Sequence, residues 1–199
     1  NSFVERFETA PGQQAQFDMK EKVKLTDKNG TQTVVYIPTL TLSWSRYNYR
    51  QVILKPTTDN LLIFLAQTFE EIGGVPKELV IDQDAVFVAS ETYGEVIKTR
   101  TFEDFCTEQD IRLWVCNKAD PESKGPIENS VGFVKKNFFS ARKVTCIDDV
   151  WRSLPGWLER KNQRIHRSTL RVPKAVYDSI ERSAMRPLLP SVYETSPNT

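Results

Sequence analysis

The stretch Gln14-Ala15-Gln16-Phe17-Asp18-Met19-Lys20 alternates without a break, with Ala15, Phe17 and Met19 apolar and Gln16, Asp18 and Lys20 polar. A period of two is that of a half-buried β-strand, and it sets Asp18 opposite the apolar face. Moving outward, Asp27-Lys28-Asn29-Gly30 is a hairpin signal. Residues 33–44, rich in Val, Ile, Leu, Thr and Tyr, predict a long second strand. Pro38 lies inside it, and a proline removes a ladder donor, which implies an edge or a bulge. After Ser45-Arg46, residues 47–54 predict a third strand. The opening is therefore an antiparallel meander.

The period then changes. Asp59 can cap a helix running to Ile72, with Leu61, Leu65, Phe69 and Ile72 as its buried stripe and Gly73-Gly74 as its stop. Residues 78–82 predict a short fourth strand ending in an acid, and 83–100 are ambiguous. A helix from a Thr101 cap to about Gln109 leads to a fifth strand at 111–116. A polar loop with Pro121 follows, then a helix over roughly 123–139 that holds Pro126 in its first turn. Asp148 or Asp149 caps a last helix towards His166, interrupted at Pro155-Gly156. A meander followed by alternating helices and strands predicts an α/β fold, a mixed sheet with helices on its faces. The expected organisation is an arm or linker remnant over 1–12, a core over 13–145 and a helical extension over 146–199.

Composition narrows the class. The chain has 199 residues, 39% hydrophobic and 27% charged, which suits one ordinary globular domain and excludes collagen-like, disordered and disulfide-rich classes. No window approaches the ~18–20 apolar residues of a membrane span, and no signal peptide is visible. Three cysteines, none in a C-x-x-C, favour a reducing cytoplasm and argue against a thiolate zinc site. They read as small buried hydrophobes. The single histidine, His166, excludes multi-histidine metal sites. The net charge of +1 hides an asymmetry: residues 1–120 carry 13 basic and 18 acidic groups, and residues 121–171 carry 11 and 5. Such a basic segment is either a footprint for a polyanion or a solvated helical surface.

Three acids stand out by position. Asp18 lies on the first strand, Asp82 ends the fourth at the edge where open α/β sheets place ligands, and Glu128 lies near the start of the long helix. At 100° per residue, Lys124, Gly132 and Lys135 fall within about 40° of Glu128, beside an apolar stripe of Ile127, Val131, Val134 and Phe138. That sector suits a carboxylate holding a metal beside a phosphate backbone. Magnesium prefers hard oxygen ligands, and two such ions ~3.5–4 Å apart can clamp an in-line phosphoryl displacement. Three acids from two strands and a helix meet that need without a histidine base or a cysteine nucleophile.

The stretches PGQQAQFD (11–18), YIPTLTLSWSRY (36–47), GGVPKELVIDQD (73–84), DPESKGPIENSVGFVKKNFF (120–139), NQRIHRSTLRVP (162–173) and PLLP (187–190) carry a resemblance. Together the chain resembles the catalytic core of IstA-like insertion-sequence transposases, DDE-type enzymes of the retroviral-integrase, RNase H-like superfamily. The resemblance implies an RNase H-like five-stranded sheet, with a three-strand antiparallel meander and two parallel strands, flanked by helices. It maps the family's acids onto Asp18, Asp82 and Glu128, the last two 46 positions apart. It implies Mg²⁺ or Mn²⁺, two ions per site when DNA is bound, DNA 3′-end cleavage and strand transfer in transposition. Lys124, Lys135 and Lys136 would touch DNA phosphates, and Asn129 would support the site. Further implications are a multimer in the full-length protein, a helper ATPase and a bacterial, cytoplasmic, nucleoid-associated setting. Two departures concern neighbours: Gln83 and Asp84 follow the second acid where Asn is usual, and Met19 follows the first where Trp is common. Asp84 competes as a ligand, and the register of ELVID favours Asp82. The helix-turn-helix domains such enzymes carry ahead of the core have no counterpart here, which reads as an excised fragment whose isolated activity is open.

Arg160, Lys161, Arg164, Arg167 and Arg171 form a second candidate DNA surface, salt-sensitive if it binds phosphates. Arg46 is either a DNA contact or a surface arginine. His166 is either a structural hydrogen-bonding residue or a DNA contact, with the structural role preferred. Trp44, Trp114, Trp151 and Trp157 read as packing residues. Competing functions are a non-catalytic DNA-binding or assembly module, and an RNase H-type nuclease on RNA–DNA hybrids.

Overall fold

The computed structural model describes residues 9–82, 99–116, 135–139 and 144–193. Five strands form one sheet: β1 (Gln14–Thr26), β2 (Gln32–Leu42), β3 (Asn48–Arg50), β4 (Glu78–Asp82) and β5 (Arg112–Cys116), in the order β3-β2-β1-β4-β5. β1–β2 and β2–β3 are antiparallel, and β1–β4 and β4–β5 are parallel. Three helices flank it: α1 (Thr58–Ile72), α2 (Thr99–Glu108) and α3 (Ile147–Asn162). A π-helical turn spans Lys135–Phe139. Near the C-terminus α4 (Pro173–Val176), a π-helical segment (Tyr177–Glu181) and α5 (Arg182–Ala184) follow without a break. The expected fold class holds, a mixed sheet with a three-strand meander and two parallel strands.

β1 runs past residue 20, the end its alternation suggested, because the hairpin keeps it paired to β2 as far as Thr26–Gln32. The turn closes as expected: the Asp27 carboxylate accepts from the amides of Asn29 and Thr31, both at 2.8 Å, and Gly30 takes φ +79°. Between Asp18–Thr39 and Glu21–Ile37 the register shifts, so β1 spends three steps where β2 spends two. The extra residue is a bulge, and it sits opposite Pro38, the residue unable to donate. The proline also shortens β3. Its ladder with β2 ends at Thr39–Arg50, and the same register resumes only as a Tyr36–Ile53 bridge.

The bulge divides β1 between two cores. Ala15, Phe17 and Met19 belong to one cluster with Leu40, Leu42, α1 and α2, whereas Val23 and Leu25 belong to another with Val35, Ile37, Phe138 and α3. All five are odd-numbered, so an unbroken strand would send them to one face. One inserted residue reverses the parity, and each half of the strand buries its apolar set.

Several helix boundaries depart from the sequence expectation. Thr57, not Asp59, caps α1, its side-chain oxygen accepting from the Asn60 amide at 3.2 Å, while Asp59 sits in the first turn where a negative charge is favoured. The stop is as read: Gly73 is left-handed at φ +84°, and its N–H donates to Phe69 and Glu70. Helix α2 starts at Thr99, so Thr101 lies inside it. Helix α3 passes through Pro155 uninterrupted, because Leu154, Trp157 and Leu158 on either side are anchored in the second core. Its N-cap is Cys146; Asp149 instead accepts from the Thr145 amide and hydroxyl, both at 3.2 Å. It ends at Asn162, short of His166. The C-terminal stretch joins the first core through Tyr177 and Met185.

Candidate active site and basic loop

The last paired rung between β1 and β4 is Phe17–Ile81. Positions 18 and 82 come next on two neighbouring parallel strands, whose backbones lie about 4.8 Å apart. Asp18 also pairs with Thr39 on β2, on the rung just before the bulge. Because Phe17 and Met19 face the first core, Asp18 takes the opposite sheet face, the one that carries the second core. Leu79 and Ile81 likewise belong to the first core, so position 82 falls in the alternate set of β4. Asp18 is half-buried, and a strand with few degrees of freedom holds it.

Glu128, Lys124, Asn129 and Asp84 lie outside the described residues. Of the helix expected over 123–139, the described part is its last turn, which is π-helical. Lys135 and Lys136 begin that turn. Phe138 within it is fully buried in the second core, edge-on to Trp157 with ring centroids 5.6 Å apart. That contact ties the end of this segment to the sheet face of Asp18. Among the described residues no three His, Cys, Asp or Glu side chains form a metal-ligating group.

The rung through Asp18 continues to Thr39 and on to Arg50 of β3. Arg50 is 2% exposed, and its Nε donates to the Asn48 side-chain oxygen at 2.7 Å. The Asn48 amide group donates in turn to the Thr41 hydroxyl at 2.7 Å. Asn162, at the end of α3, completes the network: it accepts from the Asn48 N–H at 3.0 Å and donates to the Asn48 carbonyl at 2.8 Å. The sequence reading missed Asn48, Arg50 and Asn162 as a network, although Asn162 opens the N-x-R-x-H stretch. A polar residue on a strand reads as solvent-facing until the element packed over it is known.

The network roots the basic loop. Arg160 and Lys161 occupy the last turn of α3, where cations offset the helix dipole. Arg164 and Arg167 follow on the loop and are exposed. Asn48, which Asn162 grips, lies two strands and two residues from Asp18, on the order of 10 Å. The loop is closed on itself: the His166 N–H donates to the Arg171 carbonyl and the Leu170 N–H to the His166 carbonyl, both at 2.8 Å. The Arg171 guanidinium lies 4.6 Å from the centre of the Trp44 ring. Leu170 stands at φ +55°, a left-handed backbone that costs an L-residue about 1–2 kcal/mol.

His166 serves this closure, since its Nδ1 accepts from the Ser168 N–H at 3.3 Å. Burial, then the nearby Arg46 and Lys161 charges, hold its pKa below the usual value. Arg46 itself is half-buried at φ +66° in the turn between β2 and β3. Two tryptophans depart from their expected packing role. Trp114 is 41% exposed because β5 is an edge strand, and Trp151 is 52% exposed with its indole N–H donating to the Val52 carbonyl. Trp157 is buried, and Trp44 is half-buried beneath Arg171. The Cys106 thiol is buried, and burial followed by Glu103 pushes its pKa up to about 12, an inert small hydrophobe as read. Cys146 is half-buried.

No family model matches the chain. A transposase for an IS21-like insertion sequence element of Bacteroides fragilis is 36% identical over 182 residues, covering 90% of this chain and 35% of the relative. The transposase for insertion sequence element IS232 of Bacillus thuringiensis subsp. berliner is 26% identical, over 96% of this chain and 44% of its own length. That for IS21 of Pseudomonas aeruginosa is 25% identical, over 96% and 49%. The chain thus spans about a third to a half of the curated relatives it matches. Among solved structures, the simian T-cell lymphotropic virus intasome in complex with PP2A regulatory subunit B56 gamma matches with TM-score 0.63 at 19% identity, over 95% of this chain and 60% of that one. The HTLV-2 integrase catalytic core domain in complex with magnesium matches with TM-score 0.58 at 14% identity, over 85% and 99%. The resemblance read from the sequence is the one these comparisons return, to IS21-type transposases in sequence and to integrase catalytic cores in fold. No described helix is long and apolar enough to cross a membrane.

Proposed function

We propose that this chain, resembling IstA-like transposases over most of its length, is the catalytic core of a DDE-type polynucleotidyl transferase. It cleaves DNA at the 3′ ends of an insertion sequence and joins the freed ends to target DNA. The observation that carries this reading is the backbone register of positions 18 and 82. Positions 18 and 82, distant in sequence, come one step beyond the last rung between two adjacent parallel strands, at the end of β4 and beside the bulge of β1, in a chain similar to transposases.

The donor set suits a hard divalent cation, since Asp18, Asp82 and Glu128 offer carboxylate oxygens alone. These three residues would hold Mg²⁺ or Mn²⁺, two ions when DNA is bound. Such ions supply polarisation of the scissile phosphate and of the attacking oxygen. The sheet holds Asp18 at fixed depth and spacing, so little reorganisation is needed as charge develops. Phe138 fixes the end of the segment that carries Glu128, with Asn129 in support. Lys124, Lys135 and Lys136 hold phosphates near the cut, and Arg160, Lys161, Arg164 and Arg167 hold the duplex further out. The full-length protein works as a multimer on element ends and target, with a helper ATPase, in the bacterial cytoplasm at the nucleoid.

Strand transfer by the full-length protein in Mg²⁺ tests the reading. Asp18→Asn is expected to lower transfer at least ~10²-fold, since several kcal/mol of charge stabilisation are at stake, while DNA affinity is kept. Unchanged transfer in that variant would end the assignment. A substrate panel that includes RNA–DNA hybrids distinguishes transfer from RNase H-type hydrolysis.

A further inference from the structure

We propose that Leu170 is an apolar wedge, which the loop after α3 presses into a DNA base step while its cations hold the flanking phosphates. This rests on the reading of the chain as a DNA-processing core. The wedge goes beyond that reading, because it assigns the loop a deforming contact as well as an electrostatic one.

Three observations meet at this residue. The first is exposure: Leu170 is 77% exposed, and Ile165 on the same loop is 67% exposed. The second is backbone strain. Among the described non-glycine residues at positive φ, Arg46 and Asp110 are polar, and Leu170 alone is aliphatic. Glycine or asparagine would occupy this left-handed position more cheaply. Leucine there combines strain with apolar exposure, and the fold gains no buried contact in return. Strain kept at an exposed site points to a use of the side chain outside the fold. The third is charge: from Arg160 to Tyr177 the sequence carries six basic residues and no acidic one, so the surface around the leucine complements a polyanion.

The loop is also stiff enough to act. His166 and Arg171 clamp it by backbone hydrogen bonds, Arg171 rests on Trp44, and Asn162 pins its root to β3. Apolar side chains of the leucine and isoleucine kind, inserted between base steps, unstack them and bend the duplex. The work of unstacking is smallest at flexible pyrimidine–purine steps.

The test uses the full chain and duplex DNA carrying 2-aminopurine at TA steps, with donor and acceptor dyes at the two ends. The native chain is expected to raise 2-aminopurine fluorescence and shorten the end-to-end distance. Leu170→Asn, which tolerates the left-handed backbone, is expected to cut that rise roughly fivefold or more. Its salt dependence of binding should stay at the native value, and its unfolding midpoint should hold or rise, because asparagine relieves the left-handed strain. Equal fluorescence in the two proteins, or native binding without any rise, overturns the wedge and leaves the catalytic reading standing. Absence of salt-dependent binding by the native chain overturns the DNA role of the loop and the wedge with it. A native dimer that Leu170→Asn dissolves, with no fluorescence change on DNA, assigns the leucine to contact between copies and also overturns the proposal.

Discussion

The rung of Asp18 and the basic loop after α3 are built by different means. Backbone ladders hold the first: Asp18 has β2 on one side and β4 on the other, with a bulge immediately beyond. A few local contacts hold the second: backbone bonds that close the loop at His166, Asn162 on β3, Arg171 on Trp44 and the ring of His166. A ladder fixes a residue through many cooperative bonds, so groups that must keep their spacing belong there. A loop clamped at a few points stands clear of the sheet and offers its side chains to a partner, which suits recognition. The difference teaches that the rung and the loop can be altered separately in this fold.

The largest effect should come from attacking the ladder. Inserting one residue between Lys22 and Val23 adds a second change of parity beyond the bulge and sends Val23 and Leu25 to the wrong face. Exposing two core side chains at ~1.5–3 kcal/mol each would remove much of a typical ~5–15 kcal/mol stability. Urea unfolding should show collapse of the cooperative transition; a native midpoint would mean the strand absorbs the insertion elsewhere. The root of the loop comes next. Asn162→Ala leaves the buried Asn48 N–H and C=O without their side-chain partner, a loss of about 2–4 kcal/mol by the same measurement. A change under ~0.5 kcal/mol would show that water replaces the amide.

A smaller change sharpens the contrast from the side of grip. Replacing Arg160, Arg164 and Arg167 together by Gln should leave stability within ~0.5 kcal/mol, because all three are exposed. The slope of log affinity for DNA against log salt should fall by about 2–3. An unchanged slope would place the phosphates elsewhere. The smallest effect concerns pH. The folded pKa of His166 lies below its ordinary value, so below about pH 6.5 the unfolded chain takes up the proton first. Stability from this group is therefore intact above that pH and is lost as pH falls towards the folded value. His166→Gln should flatten the stability curve over that window. An equal slope in both proteins would exclude the imidazole as its source.

Legibility followed the kind of interaction. The alternation of 14–20, the hairpin at Asp27, the stop at Gly73 and the bounds of β4 were all readable, since each depends on residues a few positions apart. Pro38 announced a bulge, but the insertion fell in the partner strand, and one strand's pattern cannot report on another's register. Thr57 caps α1 where Asp59 is expected, because both residue types can cap and only backbone geometry chooses between them. Pro155 was read as a break because a proline's local penalty is visible in sequence. The opposing contribution of Leu154, Trp157 and Leu158 in the second core is not.

By itself, then, the sequence determined the succession of the described elements, the chemical class of the three acids and the resemblance to transposases. These are matters of residue type and short spacing, which a linear pattern records in full. Tertiary structure alone decided that positions 18 and 82 are neighbours, that β1 serves two cores, and that Asn48, Arg50 and Asn162 join the basic loop to the sheet. Each depends on which strand lies beside which, and that choice is made by burying apolar surface across the whole chain, far beyond the reach of any local window.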